Sequence, residues 1–479
     1  MAYTAREQER RRVSGSKEFQ SLLQIRDLEE EVKSLKTQLR QETYPKAETE
    51  AAAESGHGGK NICGQEGKRK GKKASQAREF DFSVHPRRHV ALRLAYLGWD
   101  YQGFAVQENT DNTVEARLFE ALLKTRLIQD RQNSNYHRCG RTDKGVSAFT
   151  QVITIDLRST QICGGMGVIL PAQPSSKQKP STAELPYVKM LNRVLPPDIR
   201  VLDWAAAETG FSARFDCQFR TYRYYFPRGD LDVELMAKAA KRYEGTHDFR
   251  NLCKMDVGNG VLQFQRTILS ASIQPAQPSE AVPSDPYDIL FFEVKGLAFL
   301  YHQVRCMMAV LLLIGQKLET PEVIDQLLDV DKHPRKPQYS MAVDFPLVLY
   351  DCQFEGLNWQ RDPDEMSHVL NTLQQHWTQM AVKTHVIRGM IQGLQSAVLT
   401  ANSSPTWLLM EGSKQRSYRP LLERPCCESL ESRIEHFVKR GRLERDMDED
   451  GEEFVHRGKK TKLQDTSSGQ SNAANMSDL

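Results

Sequence analysis

Hydrophobic and polar positions alternate along "VALRLAYLG" (90–98), the two-residue period of a strand with one buried face. The period then changes. "TVEARLFEALLKTRLI" (113–128) repeats its apolar residues at three- and four-residue steps and predicts a helix, with Thr113 placed as its N-cap. "TQVITIDL" (150–157) returns to a strand, and "FRTYRYYF" (219–226) is a second strongly β-prone run. "LDVELMAKAAKRYEG" (231–245) predicts an amphipathic helix, and strands are expected around 262–273 and 289–295. A helix over about 302–317, another after Thr320 and a closing strand in "FPLVLYDCQF" (345–354) complete this part. Strands and helices alternate irregularly, with hairpin-like neighbours, so the expected fold class is α+β rather than a doubly wound parallel sheet.

The pattern weakens at both ends and in two interior stretches. Residues 1–79 read as an extension. Within it Ile25, Leu28, Val32, Leu35 and Leu39 form a short heptad stripe, which can pair with another chain or fray as a lone helix. "KRKGKK" (68–73) follows a linker-like stretch and reads as a solvated run, a nuclear address or an RNA contact. Residues 159–186, and the Pro-rich "QPAQPSEAVPSDP" between two expected strands, read as inserted loops. A helical appendage is expected over 357–445 and a disordered tail over 446–479.

Composition narrows the function classes. The chain has 479 residues, 39% hydrophobic and 27% charged, with a formal net charge of only +3, so any nucleic-acid surface must be local. "RRR" at 10–12 lies beside Glu7 and Glu9, which argues against a mitochondrial transit peptide. "VRCMMAVLLLIG" (304–315) is shorter than the roughly 20 residues that span a bilayer and carries Arg305, so it reads as a buried helix and no membrane partner is expected. Nine cysteines show no CxxC pair and no zinc-ligand spacing with His, so they read as free thiols and no metal site is expected. No phosphate-cradling glycine loop, dinucleotide fingerprint, nucleophile elbow or HExxH occurs, and no cofactor is implied.

Three stretches carry possible chemistry. In "RCGRTDKGVSAF" (138–149), Asp143 lies between Arg141 and Lys144 and is followed by a turn-forming Gly145. A plain β-turn explains the Asp and Gly; two cations would in addition hold an ionised carboxylate, usable as base, nucleophile or metal ligand. In "FRTYRYYF", strand alternation puts Arg220, Tyr222 and Tyr224 on one face, as ordinary packing or as a platform that stacks an unpaired base. In "GLAFLYHQVRCMM" (296–308), Arg305 stands in an apolar segment and needs an acidic partner, of which Asp143 is the sharpest choice. His302 has no second ligand at metal spacing and reads as a satisfied structural histidine.

At these residues the chain resembles a known family. "YLGWDYQGFAVQ" (96–107), "RCGRTDKGVSAFTQV" (138–152), "FSARFDCQFRTYRYYF" (211–226), "FLYHQVR" (299–305) and "FPLVLYDCQF" resemble, in this order, the motifs of TruA-type tRNA pseudouridine synthases. The long extensions and the closing motif are similar to the eukaryotic branch that modifies uridines 38 and 39 of the anticodon stem-loop. The resemblance implies the pseudouridine synthase fold: two α+β halves, here 80–207 and 208–356, around a continuous, mostly antiparallel sheet. It implies Asp143 as the catalytic carboxylate that helps break the uridine glycosidic bond, by attack at C1′, by attack at C6 or by a glycal route. It implies that Arg141 fills the space left by a flipped uridine, that Tyr222 stacks on the uracil, that Arg305 pairs with Asp143 and that Leu347 lines the pocket. It further implies tRNA as partner, a homodimer and no cofactor; with the basic run at 68–73 as an address, the nucleus is the expected compartment, with the cytoplasm as a second. Two rivals are a non-catalytic RNA-binding protein, which has no need of all these residues, and a metal-dependent nuclease, which needs a second or third carboxylate beside Asp143 that the sequence does not reveal.

Overall fold

A computed structural model describes residues 80–172, 183–277, 285–395, 404–410, 417–441, 443–448 and 451–456. The heptad stripe at 25–39, the basic run at 68–73 and the end of the chain past 456 lie outside the described residues.

Ten strands form one mixed sheet. β1 (Arg87–Tyr96) pairs antiparallel with β3 (Ser147–Arg158), from Arg87 opposite Arg158 to Tyr96 opposite Ala148. β2 (His137–Arg138) adds to β3, and β4 (Val168–Ile169) and β5 (Ile199–Ala206) add to β1. From β3 the sheet continues through β10 (Leu347–Gln353), β6 (Phe219–Pro227), β9 (Ile289–Gly296), β8 (Gln265–Pro275) and β7 (Gly245–Asp248). Among the described residues only β10 and β3 pair in parallel, and this short contact makes the sheet continuous. The expected α+β fold with a continuous, mostly antiparallel sheet is therefore present.

Helices cover the sheet where the periodicity places them. α1 (Val114–Lys124) begins at Thr113, whose hydroxyl accepts the Ala116 amide at 3.3 Å, and buries Leu118, Phe119 and Leu122. α2 (Tyr187–Asn192) precedes β5, and α3 (Val233–Ala240) starts at Asp232, which accepts from the Leu235 amide. α4 (Gln303–Gly315) is buried at every residue, which explains its unbroken apolar sequence. α5 (Glu322–Leu328) follows it. No helix among the described residues is long and apolar enough to cross a membrane.

Three details differ from the pattern reading. The region 159–186 supplies the edge strand β4 in addition to loop. β5 has no clear alternation because both its faces are covered, and it was not foreseen. Past the core, α6 (Pro363–Gln395) runs for 33 residues, α7 (Leu430–Lys439) follows, and β11 (Leu443–Asp448) pairs with β12 (Gly451–His456) across the boundary between the expected appendage and the expected tail.

Candidate active site

The turn between β2 and β3 is held from several sides. Cys139 donates its amide to Val152 O at 2.9 Å, and Gln151 Nε2 donates to Gly140 O at 3.0 Å. The Phe104 amide reaches Thr142 O at 3.1 Å, while the Tyr96 and Thr142 hydroxyls share a 2.8 Å hydrogen bond. Val146 closes the turn onto Asp143 O at 3.2 Å. Gly145 has φ +76°, and a Cβ there would stand 2.8 Å from the carboxyl carbon of Asp344. Both the backbone conformation and the close approach require glycine.

This turn presents Asp143 to a cleft of about 810 Å³. Arg141, Tyr222, Arg305 and Leu347 line the same cleft, so all five residues singled out by motif meet there. β6 carries Tyr222, whose ring meets Phe299 edge-on at 4.9 Å. β10 places Leu347 opposite Tyr224 in the register. α4 carries Arg305, whose Nε donates to Ala342 O at 2.8 Å. Among the described residues Arg141, Lys144 and Arg214 enter no ion pair with an acid, so the mouth keeps free positive charge.

The electrostatics correct the expectation that Asp143 is held ionised by its sequence neighbours. Arg141 and Lys144 are exposed at the mouth. Burial pushes the Asp143 carboxyl up to about 6; Arg305 is the strongest force pulling it back, Asp344 pushes it further up, and Lys254 pulls it down. Arg305 thus acts on Asp143 through its charge. At neutral pH the carboxylate form still prevails. Burial also holds the Tyr222 phenol protonated, well above the ordinary tyrosine range, with Cys352 and Asp143 adding to the effect.

His302 is the second correction. It is not a satisfied core residue: it lines the cleft with Nε2 3.6 Å from Asp143 Oδ2, and its buried Nδ1 has no hydrogen-bond partner. It occupies the left-handed region at φ +61° where α4 begins. Burial, then Arg305 and two lysines, push its pKa down to about 3, so it stands neutral beside the carboxylate. Asp344 is the third: it supplies a second carboxylate close to Asp143, from a segment far away in the chain. No local pattern announces Asp344, whereas His302 lies in the 299–305 motif beside Arg305 and only its placement reveals the contact. The face of "FRTYRYYF" also divides: Tyr222 reaches the cleft, Tyr224 is fully buried and Arg220 turns to backbone carbonyls. On the opposite face Arg223 stacks on Tyr350 at 3.5 Å and pairs with Glu293 at 2.7 Å.

Residues 239–355 match the family model described as tRNA pseudouridine synthase. The chain is 52% identical over 443 residues to the human tRNA pseudouridine(38/39) synthase, covering 88% of each protein. It is 56% identical to the mouse protein of the same name over 394 residues, 77% of this chain and 80% of that one. The yeast (Saccharomyces cerevisiae) protein of that name is 43% identical over 296 residues, 61% of this chain and 62% of its own length. The chain belongs to the tRNA pseudouridine synthase family. Members of this family are isomerases, and the cleft meets the needs of such chemistry: an ionisable buried carboxylate, a protonated phenol on an aromatic wall and unpaired cations at the entrance.

Proposed function

We propose that this chain converts uridine to pseudouridine at positions 38 and 39 of the tRNA anticodon stem-loop, with Asp143 as the catalytic carboxylate. The observation that carries the reading is convergence: Asp143, Tyr222, Arg305, Arg141 and Leu347, from widely separated segments, line one cleft. A uridine inside a stem-loop must leave its stack to reach a buried carboxylate. Arg141, exposed and cationic at the mouth, is suited to fill the space it vacates, and the Tyr222 ring to receive the base. Asp143 then acts on the nucleoside as nucleophile or base, with Arg305 keeping it charged. The uracil is released from C1′, turns and rejoins through C5, so no electrons enter or leave.

A homodimer belongs to this reading. α6 buries only Val369, yet Leu370, Leu373, Trp377, Met380, Thr384, Ile387, Ile391 and Leu394 recur at alternating three- and four-residue steps along it. That is a heptad seam, and Trp377 is 71% exposed on it. A second copy of α6 would cover the seam. Work in the nucleus is also part of the reading, supported by the basic run at 68–73.

The test is to incubate unmodified tRNA with the purified chain and map pseudouridine base by base. Modification at 38 and 39 with the wild type, and none with Asp143→Asn, is the expected result. Modification confined to other positions would overturn the site assignment, and equal activity of the Asn variant would overturn the role of Asp143.

A further inference from the structure

Three cysteines that the mechanism does not use converge on one point. Cys139 lies four residues before Asp143, Cys217 lies in the turn leading into β6, and Cys352 lies on β10. Their Sγ atoms all fall within 4.8 Å of one another, and those of Cys139 and Cys352 are 3.4 Å apart. Cys139 and Cys352 are buried, Cys217 is partly so, and all three are free thiols.

The spacing is that of a metal site rather than of a disulfide. A disulfide needs sulfurs at about 2.05 Å. A cation bonded to three thiolates at about 2.3 Å holds the sulfurs roughly 4 Å apart, between the 3.4 Å of Cys139 and Cys352 and the 4.8 Å that bounds the trio. The surroundings also suit an anionic centre. Arg220 donates to the Cys139 carbonyl at 2.9 Å, to Leu297 O at 2.6 Å and to Arg214 O at 3.2 Å. Among the described residues it pairs with no carboxylate, although most of its surface is withdrawn from solvent. A charge in that position calls for a counter-charge, and the thiols are the groups at hand to supply one. Three thiolates around a divalent cation carry one net negative charge, which Arg220 offsets.

We propose that Cys139, Cys217 and Cys352 bind one thiophilic divalent cation of the zinc class. Soft thiolate ligands select such ions over hard ones. No fourth Cys, His, Asp or Glu joins the cluster among the described residues, so the fourth position falls to water. Uptake of the ion releases the protons that the thiols carry. The bound ion ties the segment entering the Asp143 turn to the turn before β6 and to β10. Its role is to hold that turn in place, and it touches no substrate.

The experiment uses the full chain, reduced, stripped with chelator and kept from air. It is titrated with Zn²⁺ and separately with Cd²⁺, against a competing chelator. One tight equivalent is expected, with a sulfur-to-metal charge-transfer band for Cd²⁺, three sulfur neighbours by X-ray absorption for Zn²⁺ and a raised unfolding midpoint. Counting sulfur neighbours on the wild-type chain does not depend on any variant folding. Cys352→Ser should lose the tight equivalent, and a chain carrying Cys63→Ser, Cys163→Ser, Cys426→Ser and Cys427→Ser should keep it. Absence of a tight equivalent overturns the proposal. So does loss of the equivalent in the fourfold variant, which would move the site elsewhere. A disulfide within the trio in chain purified without reductant and with no bound metal would make the cluster a redox pair and equally overturn it.

Discussion

Two concavities adjoin the same sheet. Neighbouring residues of β10 separate them: Leu347 lines the cleft and Val348 lines a groove of about 620 Å³. The cleft is walled by Asp143, Arg141, Arg305, His302 and Tyr222. The groove is walled by Phe149, Phe226, Phe345, Pro346, Leu408 and the α6 residues Val369 and Leu373, with few polar groups. One surface holds ionisable groups away from bulk water so that their charges act strongly on each other. The other exposes apolar area that water disfavours and a protein partner would cover. If the groove is where the proposed dimer forms, chemistry and assembly use separate surfaces, and each can be damaged without the other.

The largest effect is expected in the cleft. Asp143→Asn should lower the rate of pseudouridine formation by at least about a thousandfold, beyond the middle of the range for a positioned acid–base group, while tRNA affinity stays within about twofold of wild type. Single-turnover kinetics with a binding assay measures both. The matching test on the other face is Leu373→Asp with Trp377→Asp. A charge cannot be placed unpaired in an apolar seam without heavy penalty, so if the proposed dimer forms through α6, sedimentation should show a dimer for the wild type and a monomer for the variant. A variant that remains dimeric would remove α6 from the interface. Within the cleft, Tyr222→Ala should weaken both tRNA binding and turnover, since base stacking is worth roughly 1–3 kcal/mol. Tyr222→Phe should keep the binding and show what the hydroxyl adds to turnover.

The two faces were not equally legible in the sequence. Asp143 stood out because turn, cations and following strand are contiguous at 138–152, and Tyr222 because strand alternation sorts its neighbours. Arg305 stood out as a charge in an apolar helix. Asp344 and Lys254, which act on the charge of Asp143, arrive from other segments, and nothing near them in sequence indicates it; His302 lies in the same 299–305 stretch as Arg305, and only the fold shows that it faces Asp143. The cysteine trio was hidden for the same reason, since metal spacing is sought along the chain and this cluster exists only across the sheet. The groove is assembled from single apolar residues that any core would also use. The α6 seam is different: its three- and four-residue steps are visible in the sequence, as are those at 25–39.

A sharper probe of the cleft uses opposite shifts from two neighbours of Asp143. The ionised carboxylate is the working form, so kcat/KM should fall as pH drops through about 6. Arg305→Met removes the strongest force that lowers this pKa and should move the acid limb to higher pH. Asp344→Asn removes a force that raises it and should move the limb to lower pH. Shifts in the same direction would show that the limb belongs to another group.

The smallest effect concerns stability and separates the charge of Asp143 from its chemistry. Its carboxyl has a folded-state pKa of about 6, raised from 3.8. Below 3.8 the folded and unfolded chains both hold the proton, and the group does not affect stability. Between the two values the folded chain holds more protons than the unfolded one, so stability falls as pH rises. Above 6 the loss is complete. Asp143→Asn cannot titrate, so its stability relative to wild type should climb across this window and then level off. One pKa unit corresponds to about 1.4 kcal/mol, so the full climb is at most roughly 3 kcal/mol, less what residual solvent access screens. The attraction of Arg305 for the ionised carboxylate is already contained in the folded-state value, while packing differences of the amide add a pH-independent offset, so the slope is the quantity to read. Denaturant unfolding of both proteins from pH 4 to 7.5 measures it. A flat difference would mean that the cleft does not hold Asp143 against its charge, and the contrast between a water-poor cleft and an ordinary surface carboxylate would fail.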